Sequence, residues 1–315
     1  MRQSQLILTR LVPGSSKRFL DKSATSSADS VIYDLEDSVT PANKSAARSL
    51  VRQALDTIPS TSLRTERGVR INSVSSGLAL QDLQEVLGST GLKTIVLPKC
   101  DTAGDLTFVR DVIAHHRSSS PSGSQSPISV IALVESAKSL TNLNEICRAA
   151  PGLLSGLAFA AEDFALDLSL TRSPSNREIL FARSSIVTAA RAHELPTALD
   201  LVTTSWQGES GQRQTVEDAR EGKGMGFTGK QCIHPSQVDI ANEAFAPSKE
   251  ELEWAVRVTI GGQRAAEDGR GAWTLDGKMI DRPVEDKARF IVDFARLCGM
   301  DVDLLMEKHA GQRAS

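Results

Sequence analysis

Three carboxylates crowd into the stretch "VIYDLEDSV". Asp34, Glu36 and Asp37 fall within four consecutive positions, directly after an apolar run rich in β-branched residues. Like charges this close repel by roughly 4 kcal/mol per pair at the effective dielectric near a protein surface. A divalent cation, reached by Glu36 and Asp37 directly or through water, would offset that repulsion. We therefore predict that Glu36 and Asp37 belong to a catalytic centre beside a metal ion.

Two further carboxylates end apolar runs elsewhere in the chain. Glu135 follows "VIALV" and Asp163 follows "LAFAAE". Carboxylate oxygens with few histidines nearby suit Mg²⁺, which also keeps positions for water and substrate. Carboxylates at strand ends are also common as helix caps and salt-bridge partners. Because acidic residues follow three separate apolar runs, we favour the metal interpretation, with Glu135 and Asp163 as ligands and Mg²⁺ as the cofactor.

Two cations stand at similar positions. Arg70 lies between Val69 and Ile71 in "VRINSVSSG", so its side chain points to the face opposite its apolar neighbours. A buried guanidinium needs an anion, and its planar fork suits a substrate carboxylate. The alternative is a salt bridge to Glu36 or Asp37, and both can hold in turn as substrate comes and goes. Lys99, after "VLP", has the same two interpretations, so we predict both residues to bind substrate and Arg70 to be catalytic as well.

The elements that would position these residues alternate between strand and helix. About eight strand-then-helix units precede residue 245, which is the number in a (β/α)8 barrel, and continuous apolar strands indicate burial on both faces. A doubly wound sheet is the alternative. In a barrel the active site lies at the carboxyl ends of the strands, where the charged residues of this chain collect. The predicted strands are residues 6–12, 30–35, 69–72, 94–98, 128–135, 157–161, 198–202 and 227–234, and the predicted helices include 44–55, 79–87, 102–115, 139–149, 177–192 and 212–224.

The last part of the chain lies outside the eightfold pattern. A helix over residues 249–267, a Gly-rich segment and a final helix from about residue 284 follow Pro247. We therefore predict a catalytic barrel over residues 1–246 and a helical extension over 247–315 that packs on the barrel or on a neighbouring subunit. The Ser/Pro/Gly-rich residues 115–129 are typical of a surface loop. His234, after the eighth strand, is interpreted as structural rather than as a general base.

Composition excludes several classes of partner. The chain has 315 residues, 40% of them hydrophobic, and a net charge of -3, so it can bury a large core but has no basic field for nucleic acid or an anionic membrane. No apolar run approaches the roughly 20 residues that cross a bilayer. The four cysteines lack CxxC spacing, which is typical of reduced thiols. A small-molecule substrate is the expected partner.

Seven motifs occur in order along the chain: "LVPGSSKRFLDKS", "DLEDSVTPANKSAAR", "VRINSVSSGLALQDL", "IVLPK", "ALVESAKSLTNLNEI", "AAEDFALDL" and "GFTGKQCIHPSQV". Together they resemble the citrate lyase beta-subunit-like branch of the HpcH/HpaI aldolase family. "VRINSVSSGLA" and the later "GAWTLDGKMIDRP" are particularly similar to its mitochondrial citramalyl-CoA lyase and citrate lyase beta-like members. The resemblance runs from about residue 11 to residue 290.

The resemblance implies a (β/α)8 barrel that assembles as a homotrimer and binds Mg²⁺ and an acyl-CoA thioester. The metal ligands of the family match Glu135 and Asp163, and its substrate-binding arginine matches Arg70. The aspartate of "GKMID", which a neighbouring subunit contributes for acid/base chemistry, matches Asp281. A mitochondrial location is implied too, although the first residues hold no clear targeting peptide, and a cytoplasmic one is the alternative.

The implied activity is reversible carbon–carbon bond cleavage. Acetyl-CoA or propionyl-CoA would combine with a small 2-oxo acid, pyruvate giving citramalyl-CoA and glyoxylate giving malyl-CoA. A metal would polarise the oxo acid and a positioned acid/base would move the proton. Thioester hydrolysis would add a malate-synthase-type activity. Two alternatives stay open: a non-catalytic or complex-forming citrate lyase beta-type subunit, and a class II pyruvate aldolase that acts without CoA.

Overall fold

The structure, a computed structural model, describes residues 7–57, 65–119 and 127–312, the first four of them by their backbone alone. It divides into two compact units that follow each other in the chain, one ending at Phe245 and the other beginning at Ala246. None of the described helices is long and apolar enough to cross a membrane.

The first unit is a barrel of eight parallel strands. The strands are hydrogen-bonded in chain order, and the eighth pairs with the first. This confirms the predicted (β/α)8 fold over the doubly wound sheet. The strands are β1 Ile7–Pro13, β2 Ser30–Asp34, β3 Glu66–Arg70, β4 Thr94–Leu97, β5 Ser129–Val134, β6 Leu154–Phe159, β7 Thr197–Asp200 and β8 Gly229–Cys232.

Helices connect the strands. Their bounds are α1 Lys17–Ser23, α2 Lys44–Thr57, α3 Ala79–Val86, α4 Ala103–Ser119, α5 Ala137–Thr141, α6 Leu143–Ala149, α7 Ala161–Asp167, α8 Leu180–Ala192, α9 Gly208–Met225 and α10 Pro235–Phe245. The helix expected over residues 139–149 is divided at Asn142, whose Nδ2 donates to the backbone oxygen of Asp101 at 2.8 Å. The loop expected over 115–129 begins later, since α4 continues to Ser119, and its residues 120–126 lie outside the described ones.

The third strand starts earlier than its apolar residues indicate. It was expected over residues 69–72, but β3 runs from Glu66 to Arg70 because these five residues pair in register with Ser30 to Asp34 of β2. The polar side chains of Glu66 and Arg67 conceal its beginning in the sequence. The shift makes Arg70 the last residue of the strand.

The barrel interior is packed with apolar side chains. One buried cluster draws only on strands and fills the inside: Ile32, Val96, Ile131, Leu133, Ala158 and Leu199. A larger cluster lies between the strands and the surrounding helices. Packing is tight enough that a Cβ on Gly68 would come within 2.4 Å of Ile32 Cδ1. The charged residues at the strand ends therefore rest on a closely packed floor, as in other barrels of this type.

The second unit has its own core of helices and a hairpin. Its elements are α11 Lys249–Glu267, β9 Trp273–Leu275, β10 Lys278–Ile280, α12 Arg282–Leu297 and α13 Val302–Lys308. The Gly-rich segment of the sequence forms the antiparallel β9–β10 pair. Its turn residues Asp276 and Gly277 both have positive φ, 49° and 75°, the conformation that Asp-Gly favours in two-residue hairpins.

Trp273 anchors this hairpin to the helices of its unit. A Cβ on Gly261 of α11 would lie 2.3 Å from Trp273 Cη2, so only glycine leaves room for the ring. Nε1 of Trp273 donates to Glu285 Oε1 at 3.0 Å. The hairpin thereby carries the chain to Asp281, where α12 begins. The packing of residues 247–315 on a neighbouring subunit stays a prediction.

Candidate active site

Asp34 and Arg70 form a buried ion pair at the ends of two neighbouring strands. Asp34 ends β2, Arg70 ends β3, and the two residues are paired in register. Arg70 donates from Nε to Asp34 Oδ1 at 2.7 Å and from Nη2 to Oδ2 at 2.8 Å. Burial by itself would raise the pKa of Asp34, but the hydrogen bonds and charge of Arg70 outweigh it and lower that pKa. Asp34 is therefore an ionised, fully buried partner of Arg70.

Glu36 lies between two cations. Its Oε1 accepts a hydrogen bond from Lys99 Nζ at 2.6 Å, and its Oε2 lies 3.0 Å from Arg70 Nη1. The arginine contact is close but poorly aligned, because Oε2 has no hydrogen-bond partner in the described part of the chain. Burial raises the pKa of Glu36, and the charges of Arg70 and Lys99 offset part of the rise. The ion pair between Arg70 and Glu36, one of the alternatives from the sequence, is thus present here.

Lys99 reaches this cluster from a strained backbone position. Its φ of 48° lies in the left-handed region, which costs a non-glycine residue about 1–3 kcal/mol. Burial would lower the pKa of Lys99, but the hydrogen bond to Glu36 and the neighbouring carboxylates raise it. Asp37 is exposed and 4.0 Å from Lys99 Nζ. Arg70 and Lys99 therefore relieve the acidic crowding from within the chain, and a metal contact of Glu36 or Asp37 stays a prediction.

Glu135 is a buried carboxylate that receives no hydrogen bond from the described residues. It follows β5 directly and is 4% exposed, and neither of its carboxylate oxygens has a hydrogen-bond partner among the residues the structure describes. Burial raises the pKa of Glu135 to about 8, and the nearby charges of Glu36 and Asp163 add to the rise. A buried polar group is normally hydrogen-bonded. Both oxygens of Glu135 are therefore in the state expected of ligands for a cation.

Asp163 lies on the adjacent strand-to-helix connection. β5 and β6 pair in register up to Val134 and Phe159, and Asp163 follows in the first turn of α7, half-buried. Within residues 7–57, 65–119 and 127–312, no three or more His, Cys, Asp or Glu side chains are grouped to hold a metal by themselves. Two converging carboxylates fit Mg²⁺, which usually takes one or two protein carboxylates and completes its shell with water and substrate.

A buried polar network holds the turn that carries Glu36. Lys44 Nζ donates to the backbone oxygens of Leu35 and Glu36, both at 2.7 Å, and to Asn72 Oδ1 at 2.6 Å. Asn72 donates from its backbone nitrogen at 2.7 Å and from Nδ2 at 2.6 Å to Asp82 Oδ2. The turn after β2 is therefore fixed by side chains of α2, α3 and the loop after β3, before any ligand binds.

Replacing Asp82 by Ala is expected to lower the free energy of unfolding by about 3–5 kcal/mol, because Arg48 loses its buried partner. Arg48 Nε donates to Asp82 Oδ1 at 2.6 Å, and Asp82 is fully buried. Urea unfolding measures the loss. Asp56→Ala is the matched control, since the same 2.6 Å contact joins it to Arg52 on the same helix in an exposed position and contributes under about 1 kcal/mol. Equal losses in the two variants would contradict the prediction.

His234 belongs to an aromatic stack at the β7–β8 side of the barrel. Its ring lies 3.8 Å from that of Trp206, with 14° between the ring planes. Its Nδ1 is 2.7 Å from Ser236 Oγ and accepts from the Ser236 backbone nitrogen at 3.2 Å. These contacts agree with the structural interpretation of His234, and Trp206 was not singled out from the sequence.

Asp281 lies in the second unit. It is the N-cap of α12, where its Oδ1 accepts from the backbone nitrogen of Val284 at 3.3 Å. The structure thus brings Arg70, Lys99 and the carboxylates of Glu36, Glu135 and Asp163 together in the barrel, and it places Asp281 in another compact unit. The catalytic role of Asp281 stays a prediction.

Sequence reasoning missed the residues that support the site. Asp34 has a signal, because it ends one apolar strand while Arg70 ends the next, and opposite charges at neighbouring strand ends pair. Asp82 also has one: it occupies the apolar face of α3, whose buried positions are Ala79, Asp82, Leu83 and Val86. Lys44 and Asn72 have no local signal.

Comparison with known proteins places this geometry in context. The family model described as HpcH/HpaI aldolase/citrate lyase matches residues 9–235. The mitochondrial citramalyl-CoA lyase of Homo sapiens is 35% identical over 292 residues, which cover 90% of this chain and 84% of that protein. The citrate lyase subunit beta of Escherichia coli (strain K12) is 35% identical over 290 residues, covering 92% of this chain and 93% of that one.

A solved structure shares the fold. The CitE protein of Mycobacterium tuberculosis, crystallised in complex with magnesium, acetoacetate and coenzyme A, superposes with a TM-score of 0.74 at 31% sequence identity. The match covers 93% of this chain and 99% of that chain. The likeness therefore extends beyond the residues that the family model matches.

Proposed function

This chain belongs to the HpcH/HpaI aldolase/citrate lyase family, and we propose that it is a Mg²⁺-dependent carbon–carbon lyase that cleaves or forms a 3-hydroxyacyl-CoA. The observation that carries the proposal is the Glu135 carboxylate, buried without a donor from the described residues next to Asp163, Arg70 and Lys99. Relatives named as lyases support the reaction class. The magnesium, acetoacetate and coenzyme A in the CitE structure support the cofactor and the two ligand classes.

In this proposal the residues of the chain have three roles: metal binding, substrate binding and proton transfer. Glu135 and Asp163 hold the metal, and Arg70 with Lys99 binds the carboxylate of the 2-oxo acid through charge-assisted hydrogen bonds. When bound, Mg²⁺ supplies a Lewis acid at the oxo group. Asp281, contributed by a neighbouring subunit of a homotrimer, takes a proton from C2 of acetyl-CoA in the direction of synthesis. C2 then bonds to the oxo carbon, and the proton passes to the new hydroxyl oxygen; cleavage follows the same steps in reverse.

The substrates we propose are acetyl-CoA or propionyl-CoA with pyruvate or glyoxylate. Acetyl-CoA gives citramalyl-CoA with pyruvate and malyl-CoA with glyoxylate, whereas propionyl-CoA gives the corresponding products with one more methyl group at C2. The name of the human relative supports citramalyl-CoA. The two cations beside Glu36, Arg70 and Lys99, support a small acid that presents one carboxylate to them.

The proposal is tested with the full-length chain and Mg²⁺. Citramalyl-CoA and malyl-CoA are supplied in turn, and acetyl-CoA and the 2-oxo acid are measured separately. A lyase releases the two in equal amounts. Free CoA thiol without oxo acid indicates thioester hydrolysis instead, and condensation of free oxo acids in the absence of CoA indicates a pyruvate aldolase. Either of these two results, found alone, overturns the proposal.

A second candidate is a complex-forming subunit, which the similarity to the citrate lyase subunit beta of Escherichia coli favours. It would be inactive when isolated. Light scattering on the purified chain, run beside the assay, separates the two candidates: an active homotrimer supports the free-standing lyase, and an inactive chain of any size supports the subunit.

A further inference from the structure

Four hydrogen bonds hold the carboxylate of Asp34. Besides the two hydrogen bonds from Arg70, its Oδ1 accepts from the backbone nitrogen of Glu36 at 2.9 Å and its Oδ2 from that of Ser38 at 3.0 Å. The side chain is fully buried. With four donors on its two oxygens, Asp34 has one orientation, and it transmits that orientation to Arg70.

The contact with Asp34 determines which part of Arg70 is left for another anion. A guanidinium has five N–H donors in a fixed plane, and Asp34 occupies the edge formed by Nε and Nη2. Nη1 lies at the other end of the fork, 3.0 Å from Glu36 Oε2. That oxygen has no aligned hydrogen bond from any described residue. Glu36 therefore lies next to Nη1 but accepts no well-aligned hydrogen bond from it.

Lys99 completes the same position. Its Nζ donates to the other carboxylate oxygen of Glu36 at 2.6 Å, so one carboxylate lies between an arginine and a lysine. The four charges of Asp34, Glu36, Arg70 and Lys99 balance. A second carboxylate can enter between the two cations only if Glu36 moves out.

We propose that Asp34 is a positioning residue for the substrate carboxylate: it locks Arg70 so that Nη1 and Lys99 Nζ face one seat, which Glu36 fills until a 2-oxo acid replaces it. The inference deepens the proposed function and rests on it for the class of ligand. In this proposal Asp34 touches neither substrate nor metal. It acts by orienting Arg70, and its hydrogen bonds from the backbone nitrogens of Glu36 and Ser38 keep its own carboxylate in place.

Pyruvate is the probe, titrated calorimetrically into the full-length protein at saturating Mg²⁺. Asp34→Asn keeps the shape of the side chain but removes its charge and one of the two acceptors for Arg70. Pyruvate binding is expected to weaken about 10- to 100-fold, the factor that corresponds to a hydrogen bond of a charged group. In the direction of condensation, KM for the oxo acid rises by the same factor, while KM for acetyl-CoA stays within about twofold. Pyruvate affinity equal to that of the wild type overturns the inference.

Asp200→Asn is the matched control. Asp200 is as buried as Asp34 and accepts from Nε and Nη2 of an arginine in the same way, at 3.1 and 2.7 Å, but its partner is Arg183 of α8. Its variant is expected to lose stability without the specific loss of pyruvate affinity. If both variants lose affinity equally, Asp34 is merely structural and the inference fails.

Where Asp34→Asn folds, Arg70→Lys extends the test. It removes the fork that Asp34 orients, and adding Asp34→Asn to it should weaken pyruvate binding no further, the non-additivity expected of residues that act as a unit. A variant at Glu36 keeps the test decisive if Asp34→Asn does not fold. Glu36→Gln leaves Asp34 and Arg70 in place but removes the competing charge, so pyruvate binds more tightly at saturating Mg²⁺. Unchanged or weaker binding by Glu36→Gln shows that Glu36 does not fill the seat and overturns the inference.

Calorimetry separates this inference from the proposed function. Pyruvate binding requires no turnover, so a chain that binds pyruvate in an Asp34-dependent way but releases no acetyl-CoA contradicts the lyase proposal alone. A chain that cleaves citramalyl-CoA with Asp34→Asn as well as without it contradicts the inference alone.

Discussion

Replacing Glu135 by Gln is expected to reduce turnover about 10³-fold, since the Lewis acid contributes several kcal/mol to the transition state. The same variant should be more stable than the wild type when metal is absent. Gln has the shape of Glu but no charge, and the pKa of Glu135 is raised to about 8 because burial disfavours its ionised form. Glu135 is thus expected to lower the stability of the metal-free protein and to be required for activity when the metal is bound.

The pH dependence of stability has a definite sign. In the unfolded chain Glu135 releases its proton near its ordinary pKa of 4.5, whereas the folded protein keeps that proton up to about pH 8. Between these values the folded state binds more protons, so its stability falls as pH rises. At pH 7 the loss is on the order of 3 kcal/mol. Urea unfolding with a metal chelator at pH 5, 6, 7 and 8 should show this slope in the wild type and a much smaller one in Glu135→Gln.

Magnesium should restore the stability that the wild type loses as pH rises, because a ligand that binds the folded state stabilises it by mass action. Glu135→Gln should show no such gain. Glu162→Gln is the matched control: Glu162 adjoins Asp163 but is exposed and paired with Arg172. It should keep both the pH slope and the gain from Mg²⁺. If Glu135→Gln gains as much stability from Mg²⁺ as the wild type does, Glu135 is not a ligand.

Replacing Asp281 by Ser is expected to lower turnover by about 10²–10⁴-fold, the range for removal of a general acid or base. Serine is chosen because Asp281 also caps α12, and serine retains most of an N-cap's contribution whereas Ala loses about 1 kcal/mol. Thermal unfolding and light scattering should therefore show an almost unchanged protein. Steady-state kinetics with citramalyl-CoA gives the size of the loss.

Mixing two inactive proteins tests whether Asp281 acts in a neighbouring subunit. Asp281→Ser and Glu135→Gln chains are dissociated together and reassembled. Some mixed sites then combine the intact Glu135 of one chain with the intact Asp281 of another, and activity returns. If Asp281 serves the barrel of its own chain, every site lacks one of the two residues and the mixture stays inactive.

Asp301→Ala is the control for the loss of a cap. Asp301 begins α13 as Asp281 begins α12, and its Oδ1 accepts from the backbone nitrogen of Leu304 at 3.1 Å. Its variant should lose about 1 kcal/mol of stability, more than Asp281→Ser does, and keep full turnover. If Asp301→Ala loses as much activity as Asp281→Ser, a change at either N-cap of the second unit is enough to reduce turnover. The loss in Asp281→Ser would then not indicate a chemical role for Asp281.

Much of the barrel could be predicted because its signals are local. Apolar runs such as "VIALV" mark strands buried on both faces, and their alternation with helical periodicity gives the number of units. The errors came where polar residues occupy an element. Glu66 and Arg67 concealed the start of β3, and the Asp-Gly turn of the β9–β10 hairpin was taken for a Gly-rich segment without strands.

The candidate site was only partly predictable. Arg70, Lys99 and the carboxylates of Glu36, Glu135 and Asp163 were expected to meet because a barrel gathers its strand ends, and the structure brings them together. The pairing of the charges was predicted only in part, since Glu36 was an expected partner of both cations and Asp34 was not. Arg70 pairs with Asp34, which lies 36 positions away and had no role assigned, and Lys99 reaches Glu36 through a left-handed backbone that a lysine rarely adopts.

The sequence by itself determined the alternation of strands and helices, and with it the rim at which the ionisable residues collect. Both follow from the period of apolar residues along the chain, a property of near neighbours. Only the tertiary structure decided that Asp34 holds Arg70, that Glu36 lies between two cations and that Glu135 has no donor within the described chain. Those facts depend on distances between residues remote in sequence and on burial, which sets the strength and protonation of every charge.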